Sequence, residues 1–220
     1  VVNPEAYALW LKGRYIYAKW GKENFELAIE ALKAALEIQP DYVEAWASLS
    51  VAYLTQTQSG YLDPAEGIAL SRAAIDKAAA LDPVRPTVLA RLASIQNQFD
   101  WDWYGAEATI NRALKIDPLE IRVLGAAGSV ATNLGRGDAA LDYYQRILDQ
   151  DPLNLVSLYN KATTLHQLGR LDEAMQTYGK LLDLNPEDWG SHTQVAIILL
   201  QQGKPQQAWD ELAIEVDPQQ

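Results

Sequence analysis

The chain has 220 residues, with 18 Lys and Arg against 29 Asp and Glu, a formal net charge of -11, two histidines and no cysteine. Disulfides, thiolate nucleophiles, iron–sulfur centres and cysteine-bound zinc are excluded, and the surplus of acid opposes binding to a phosphate backbone. No apolar run approaches the ~20 residues that cross a bilayer, and Val1-Val2-Asn3-Pro4 has neither the basic start nor the apolar core of a signal peptide.

A repeat organises everything that follows. Pro40, Pro83, Pro118, Pro152, Pro186 and Pro218 each follow a polar residue, at spacings of 43, 35, 34, 34 and 32. The underlying period is therefore 34, and each period divides into two helical patterns. The first unit carries Gly13, Ala28 and Ala35 before Pro40, with about three extra residues around Trp20-Gly21-Lys22. The second has Trp46, Leu49, Ser50, Tyr53 and Ala78, with about nine extra residues near Ser59 to Pro64 that predict a long loop or a late second helix. The third contains the turn Phe99-Asp100-Trp101-Asp102-Trp103.

The fourth unit is the most regular: Leu124, Ala127, Gly128 and Ala131, the turn Gly135-Arg136-Gly137, then Ala140, Tyr144 and Ile147. Leu158, Ala162, Leu165, Gly169, Ala174, Tyr178 and Leu181 repeat this in the fifth, and Val195, Ala196, Leu199, Gly203 and Ala208 in the sixth. The sixth is short by two residues and offers Ala213 or Glu215 where a small packing residue is expected. Spacings of three and four mark helix faces, and small residues such as Gly128 with Ala140 permit close crossing of the two helices. Helices are predicted over 4–20, 23–38, 42–57, 64–81, 85–98, 102–116, 119–134, 137–149, 153–168, 171–183, 187–202 and 205–215.

These units resemble the tetratricopeptide repeat (TPR), whose pattern of a large residue, Leu-Gly, Tyr, Ala, an aromatic, Ala and a closing Pro runs through the residues just named, over about 4–218. The resemblance implies an all-α, right-handed superhelical solenoid of about six helix-turn-helix repeats, at 5–40, 41–83, 84–118, 119–152, 153–186 and 187–218, as one domain over 1–220. Asn3-Pro4-Glu5-Ala6-Tyr7, Leu11-Lys12-Gly13-Arg14-Tyr15 and the Phe99–Trp103 turn are similar to the repeat regions of some bacterial signalling proteins, where such repeats follow a winged-helix regulator, an adenylate cyclase or a serine/threonine kinase. That likeness, with the missing initiator Met, suggests an excised regulatory part of a longer polypeptide, whose upstream domains would decide between bacterial cytoplasm and periplasm.

Catalytic chemistry has no foothold in the sequence. Phosphate loops, nucleophile elbows, His-Glu-x-x-His and calcium-loop patterns are all missing. His166 and His192 fall about eight residues apart along neighbouring first helices, ~12 Å, too far to share a metal, and are expected to be surface or groove residues with ordinary partners. Asp172-Glu173 and Glu187-Asp188 stand at predicted helix starts, where carboxylates cap free N–H groups. Trp101 and Trp103 are expected to pack between neighbouring units. No cofactor, metal or nucleic acid is expected to bind, and no segment of this chain to span a membrane.

In the resembling family the first helix of each pair lines a concave groove. Positions two, five, six, nine, twelve and thirteen of each unit then yield Arg91, Asn97, Gln98, Arg122, Asn133, Tyr159, Asn160, His166, Gln167, Gln194 and Gln201 as candidate peptide-contact residues, with Glu44 as the single acid. Amides carry donors and acceptors suited to a peptide backbone, and arginines suit a carboxylate. The carboxylate clamp of chaperone-binding relatives is not recovered: Asn160 matches its middle position, but Gly125 and Ser129 precede it and Gly190 and Gln194 follow. The expected function is a non-enzymatic module that binds a protein or peptide segment. The alternative is a structural module that self-associates through its ends, as a homo-oligomer with no groove ligand.

Overall fold

The computed structural model describes residues 1–213, and among these every regular element is an α-helix, twelve in all. They form consecutive hairpins: α1 (Pro4–Tyr17) with α2 (Lys22–Ile38), α3 (Val43–Gln58) with α4 (Pro64–Leu81), α5 (Pro86–Gln98) with α6 (Trp103–Ile116), α7 (Ile121–Asn133) with α8 (Gly137–Gln150), α9 (Leu155–Gln167) with α10 (Leu171–Leu184), and α11 (Trp189–Gln201) with α12 (Pro205–Ala213). The predicted spans are met to within a few residues. The largest difference is at α1, which stops at Tyr17 rather than 20. The predicted end of α12 at 215, and Glu215 with it, lies outside the described residues.

Three local rules set this pattern. Hairpins end on a residue before proline, and a following proline bars the helical region to its neighbour. Gln39, Asp82, Asp117, Asp151 and Asn185 accordingly share one extended geometry, with φ between -141 and -134° and ψ between 84 and 95°. Helix starts are capped: Asn3 accepts from the N–H of Glu5, Asp63 from Ala65, Asp102 from Gly105, Asn154 from Ser157 and Asp188 from Ser191. In five of the six hairpins the turn holds a left-handed residue two positions before the second helix, whereas in the longer turn before α4 it is Gly60, four positions before. Gly135, Gly169 and Gly203 supply it with φ of 72, 72 and 73°, but Trp20 and Trp101 supply it with φ of 55 and 58°. L-residues with a side chain find that region costly.

The fold separates into two compact units, residues 1–123 and 124–220. In the first, α1 packs on α2, α3 on α4 and α5 on α6, with α2 against α3 and α4 against α5. Its core runs from Ala6, Leu32 and Leu49 to Ile75, Val88 and Ile95, all buried. The extra residues of the second repeat lengthen its turn to 59–63 and make α4 the longest helix, 18 residues.

In the second unit, α9 packs on α8 and α10, and α11 on α10 and α12. Leu165, Tyr178, Val195 and Ile198 form its centre. Small residues do what their pattern predicts: a Cβ on Gly128 of α7 would come 2.5 Å from the Tyr144 ring of α8. Ala162 and Ala174, which face each other across the next hairpin, are fully buried.

Candidate functional site

Within the first unit the first helices of the hairpins surround a cavity of about 420 Å³. Trp10, Gly13, Arg14 and Tyr17 reach it from α1, Glu44, Ala47, Ser48 and Val51 from α3, Thr87, Val88 and Arg91 from α5, and Arg122 from the first turn of α7. Arg85, just before α5, completes the wall. Its aromatic side is held in place. The Trp10 indole N–H donates to Ser48 Oγ at 3.0 Å, the Tyr17 hydroxyl lies 2.7 Å from Thr55 Oγ1, and the Arg14 guanidinium stacks 4.9 Å from the centre of the Trp10 ring.

The charges are unevenly matched. Four arginines line the cavity against one glutamate, in a chain whose net charge is -11. Arg85 is neutralised: it donates to Asp82 Oδ2 at 2.8 Å and is ion-paired with Glu44. Burial pulls its guanidinium down, but the hydrogen bonds to Asp82 and Glu44 more than offset this and hold it above its ordinary pKa. Arg91 is different. It is half-buried, and burial first, opposed by the Tyr17 phenol and reinforced by repulsion from Arg122, holds it below the ordinary arginine value. Arginine nevertheless stays charged in proteins. Among the described residues, neither Arg91 nor Arg122 has a hydrogen-bonding or ion-pairing partner.

Two tetratricopeptide repeat profiles match this sequence, one over residues 132–191 and one over 14–60 and 102–154, together more than half of its length. The chain belongs to the tetratricopeptide repeat family. No curated protein sequence matches it significantly. Solved structures share the TPR fold at low identity. A human IFIT1 dimer with m7Gppp-AAAA is 17% identical with a TM-score of 0.79, over 94% of this chain and 49% of that one. Cut9 with Hcn1, an APC/C hetero-tetramer, is 17% identical with a TM-score of 0.80, over 98% and 41%. PilW, a type IV pilus biogenesis factor, is 15% identical with a TM-score of 0.77, over 96% and 92%. The chain thus spans about half the length of IFIT1 and less of Cut9.

The TPR register places the candidate contact residues in two groups. Arg91, Gln98 and Arg122 belong to the first unit, where Arg91 and Arg122 meet at the cavity and Gln98 is exposed at the end of α5. Asn97 is a correction: it is 1% exposed and packs inward, so it presents nothing to a ligand. In the second unit, Tyr159 stands edge-on to Tyr178 at 6.0 Å, and its ring packs closely on Gly190, where a Cβ would lie 3.2 Å from it. Asn160 is half-buried, and its carbonyl accepts from the Thr164 hydroxyl at 2.8 Å. His166 Nε2 lies 3.0 Å from Gln201 Oε1, so these two already partner each other. Gln194 is half-buried, and Asn133 and Gln167 are exposed.

Three further expectations are corrected. His192 is neither a surface nor a groove residue: it is 7% exposed, with Nδ1 2.8 Å from Glu211 Oε2 and Nε2 2.9 Å from the Pro186 carbonyl, and it ties α11 to α12. Of the paired carboxylates, Asp188 does cap α11, whereas Glu173 is held by Arg170 at 2.6 Å. Trp101 is not packed away. It is 74% exposed and touches Trp103 at 6.3 Å between ring centres, because its left-handed backbone turns the side chain off the hairpin.

Trp10, Arg14, Tyr17 and Arg85 were not among the sequence candidates. Gly13 fixes the register of α1, and the same groove positions there select Trp10, Arg14 and Tyr17. Arg85 precedes its helix and no groove position points to it. Among the described residues, no cluster of three or more His, Asp or Glu side chains is placed to hold a metal, and no helix is long and apolar enough to cross a membrane.

Proposed function

We propose that this TPR protein-interaction scaffold binds an extended segment of a partner protein along its first helices, with the first-unit cavity as the principal contact. The observation that carries this reading is the cavity itself: about 420 Å³, within the usual range of ligand sites, walled by first helices and holding two arginines without protein partners. In the second unit, Asn160 and Gln194, both half-buried, offer amides to a peptide backbone. The short motifs shared with bacterial signalling proteins support a role as the regulatory part of such a protein.

IFIT1 is seen with a capped oligonucleotide, which raises RNA as a rival ligand. The acidic balance here, 29 Asp and Glu against 18 Lys and Arg, supports protein over nucleic acid. Selection of displayed random peptides against the immobilised chain tests the reading, with hydrogen exchange locating the bound sequences. Protection is expected on α1, α3 and α5. Protection confined to the Trp101–Tyr104 edge, or light scattering that shows self-association and no peptide selected, would overturn it.

A further inference from the structure

We infer that the first-unit cavity recognises a carboxylate-bearing residue next to an apolar one, with Arg91 and Arg122 taking the carboxylate and the Trp10–Tyr17 wall taking the apolar side chain. This rests on the peptide-binding reading above and specifies its ligand.

The charges around the cavity are out of balance. A guanidinium carries five N–H donors, and withdrawing it from water without an acceptor is unfavourable. Around this cavity the chain shows how it satisfies such a group when nothing else is required: Arg85 has Asp82 and Glu44. Arg91 is left half-buried with no carboxylate, and a second arginine at the cavity, Arg122, repels it. Two cations facing one cavity, in a chain with an excess of 11 negative charges, raise a local potential that an anion relieves. The guanidinium fork matches a planar carboxylate through paired N–H···O bonds.

The aromatic side of the cavity defines the neighbour. Trp10 is fixed by Ser48 and by stacking with Arg14, and Tyr17 is fixed by Thr55, so their faces are ordered before any ligand arrives. Ala47, Val51 and Val88 make the floor between them apolar. Preordered aromatic surface costs little entropy to use. The volume exceeds that of a single carboxylate and suits two adjacent side chains. A nucleic-acid strand, by contrast, needs cations along several phosphates, and the unneutralised arginines here are gathered in one pocket.

The test is fluorescence anisotropy at about 50 mM salt with labelled, C-terminally amidated peptides in a Gly-Ser frame. One carries an internal glutamate followed by phenylalanine, a second has glutamine in its place and a third lysine. A fourth has glutamine and a free C-terminal carboxylate, and a 5′-phosphorylated tetra-adenylate is the nucleic-acid probe. The internal glutamate peptide should bind roughly tenfold or more tightly than its glutamine or lysine counterparts. Arg122→Gln, at an exposed position, should remove most of that preference without changing helicity, as should Arg91→Gln, and about 500 mM salt should shrink it. If the free-carboxylate peptide wins, the anion is a chain terminus and the internal-residue assignment fails.

Equal affinity for the glutamate and glutamine peptides, or a preference that survives both substitutions, overturns acid recognition but leaves peptide binding standing. Failure of all four peptides up to millimolar concentration also overturns it. Peptide binding is then judged by whether neutral sequences selected by display protect α3 and α5. Tighter binding of the oligonucleotide than of any peptide overturns both.

Discussion

The two units were built on one repeat and used differently. In the second, hairpins follow one another at the family period, their turns use glycine at φ near 72°, and the groove positions of the first helices hold no Lys, Arg, Asp or Glu, some of their polar side chains being already paired as His166 is with Gln201. The first carries the insertions, puts Trp20 and Trp101 where glycine belongs, and gathers arginine and tryptophan around a cavity. A repeat is a solution to packing, so adherence to it reflects packing, and departures from it mark where other demands were met.

If both units are equally well packed, their most buried aromatic residues should cost the same to remove, and this is the largest predicted effect. Tyr178 and Phe25 are both fully buried. Tyr178→Ala in the second unit and Phe25→Ala in the first should each cost about 3–5 kcal/mol, read by chemical denaturation. A much smaller loss for Phe25→Ala would mean that the first unit is merely loose, and that its irregularity reflects weak packing. Next in size, Gly128→Val drives a side chain into the Tyr144 ring, where even a Cβ would lie 2.5 Å away. It should cost about 1–3 kcal/mol, and a neutral result would show that α7 and α8 can separate.

Most of the fold was legible because the repeat expresses itself in residues with steric consequences. Asp-Pro junctions fix the extended residue before each proline, and Gly128 or Ala162 can only be small. The candidate site was legible in part, since position two and position six of a first helix were enough to find Arg122 and Arg91. Asn97 failed at position twelve because its side chain is buried at 1% exposure, and a repeat register assigns a face without knowing what packs against it there. Trp101 failed for another reason: an aromatic residue in a turn reads as core, and only its positive φ reveals that it points outward. Arg85 lies outside the helix, where periodicity carries no information about direction.

The left-handed turn position sharpens the comparison at about 1 kcal/mol. Gly169→Ala at φ 72° should destabilise the second unit by roughly 1 kcal/mol, and Trp101→Gly should stabilise the first by a similar amount, because the backbone strain is removed and the lost side chain is mostly exposed. Paired melting curves check both. If Trp101→Gly instead destabilises, the Trp101–Trp103 contact outweighs the strain, and the tryptophan is structural after all.

The smallest effect concerns the pair that neutralises Arg85. Its hydrogen bond to Asp82, 2.8 Å long, holds the Asp82 carboxyl below the usual carboxylate range, against the opposing effect of burial and with help from the Val84 N–H. A pKa depressed in the folded state contributes stability that is complete above the unfolded value, near ~3.9, and is lost as the pH falls through the lower folded one. Asp82→Asn should therefore melt slightly below the unsubstituted chain at pH 7, and the two should converge below about pH 3. At neutral pH the same substitution leaves Arg85 with Glu44 alone and makes the cavity more positive. If that cavity takes an acidic residue, affinity for the glutamate peptide should rise about twofold, the scale of one partly exposed ion pair of ~0.5 kcal/mol. A fall in affinity would show that Asp82 serves to hold Arg85 in a binding position, so that Arg85 joins Arg91 and Arg122 at the ligand.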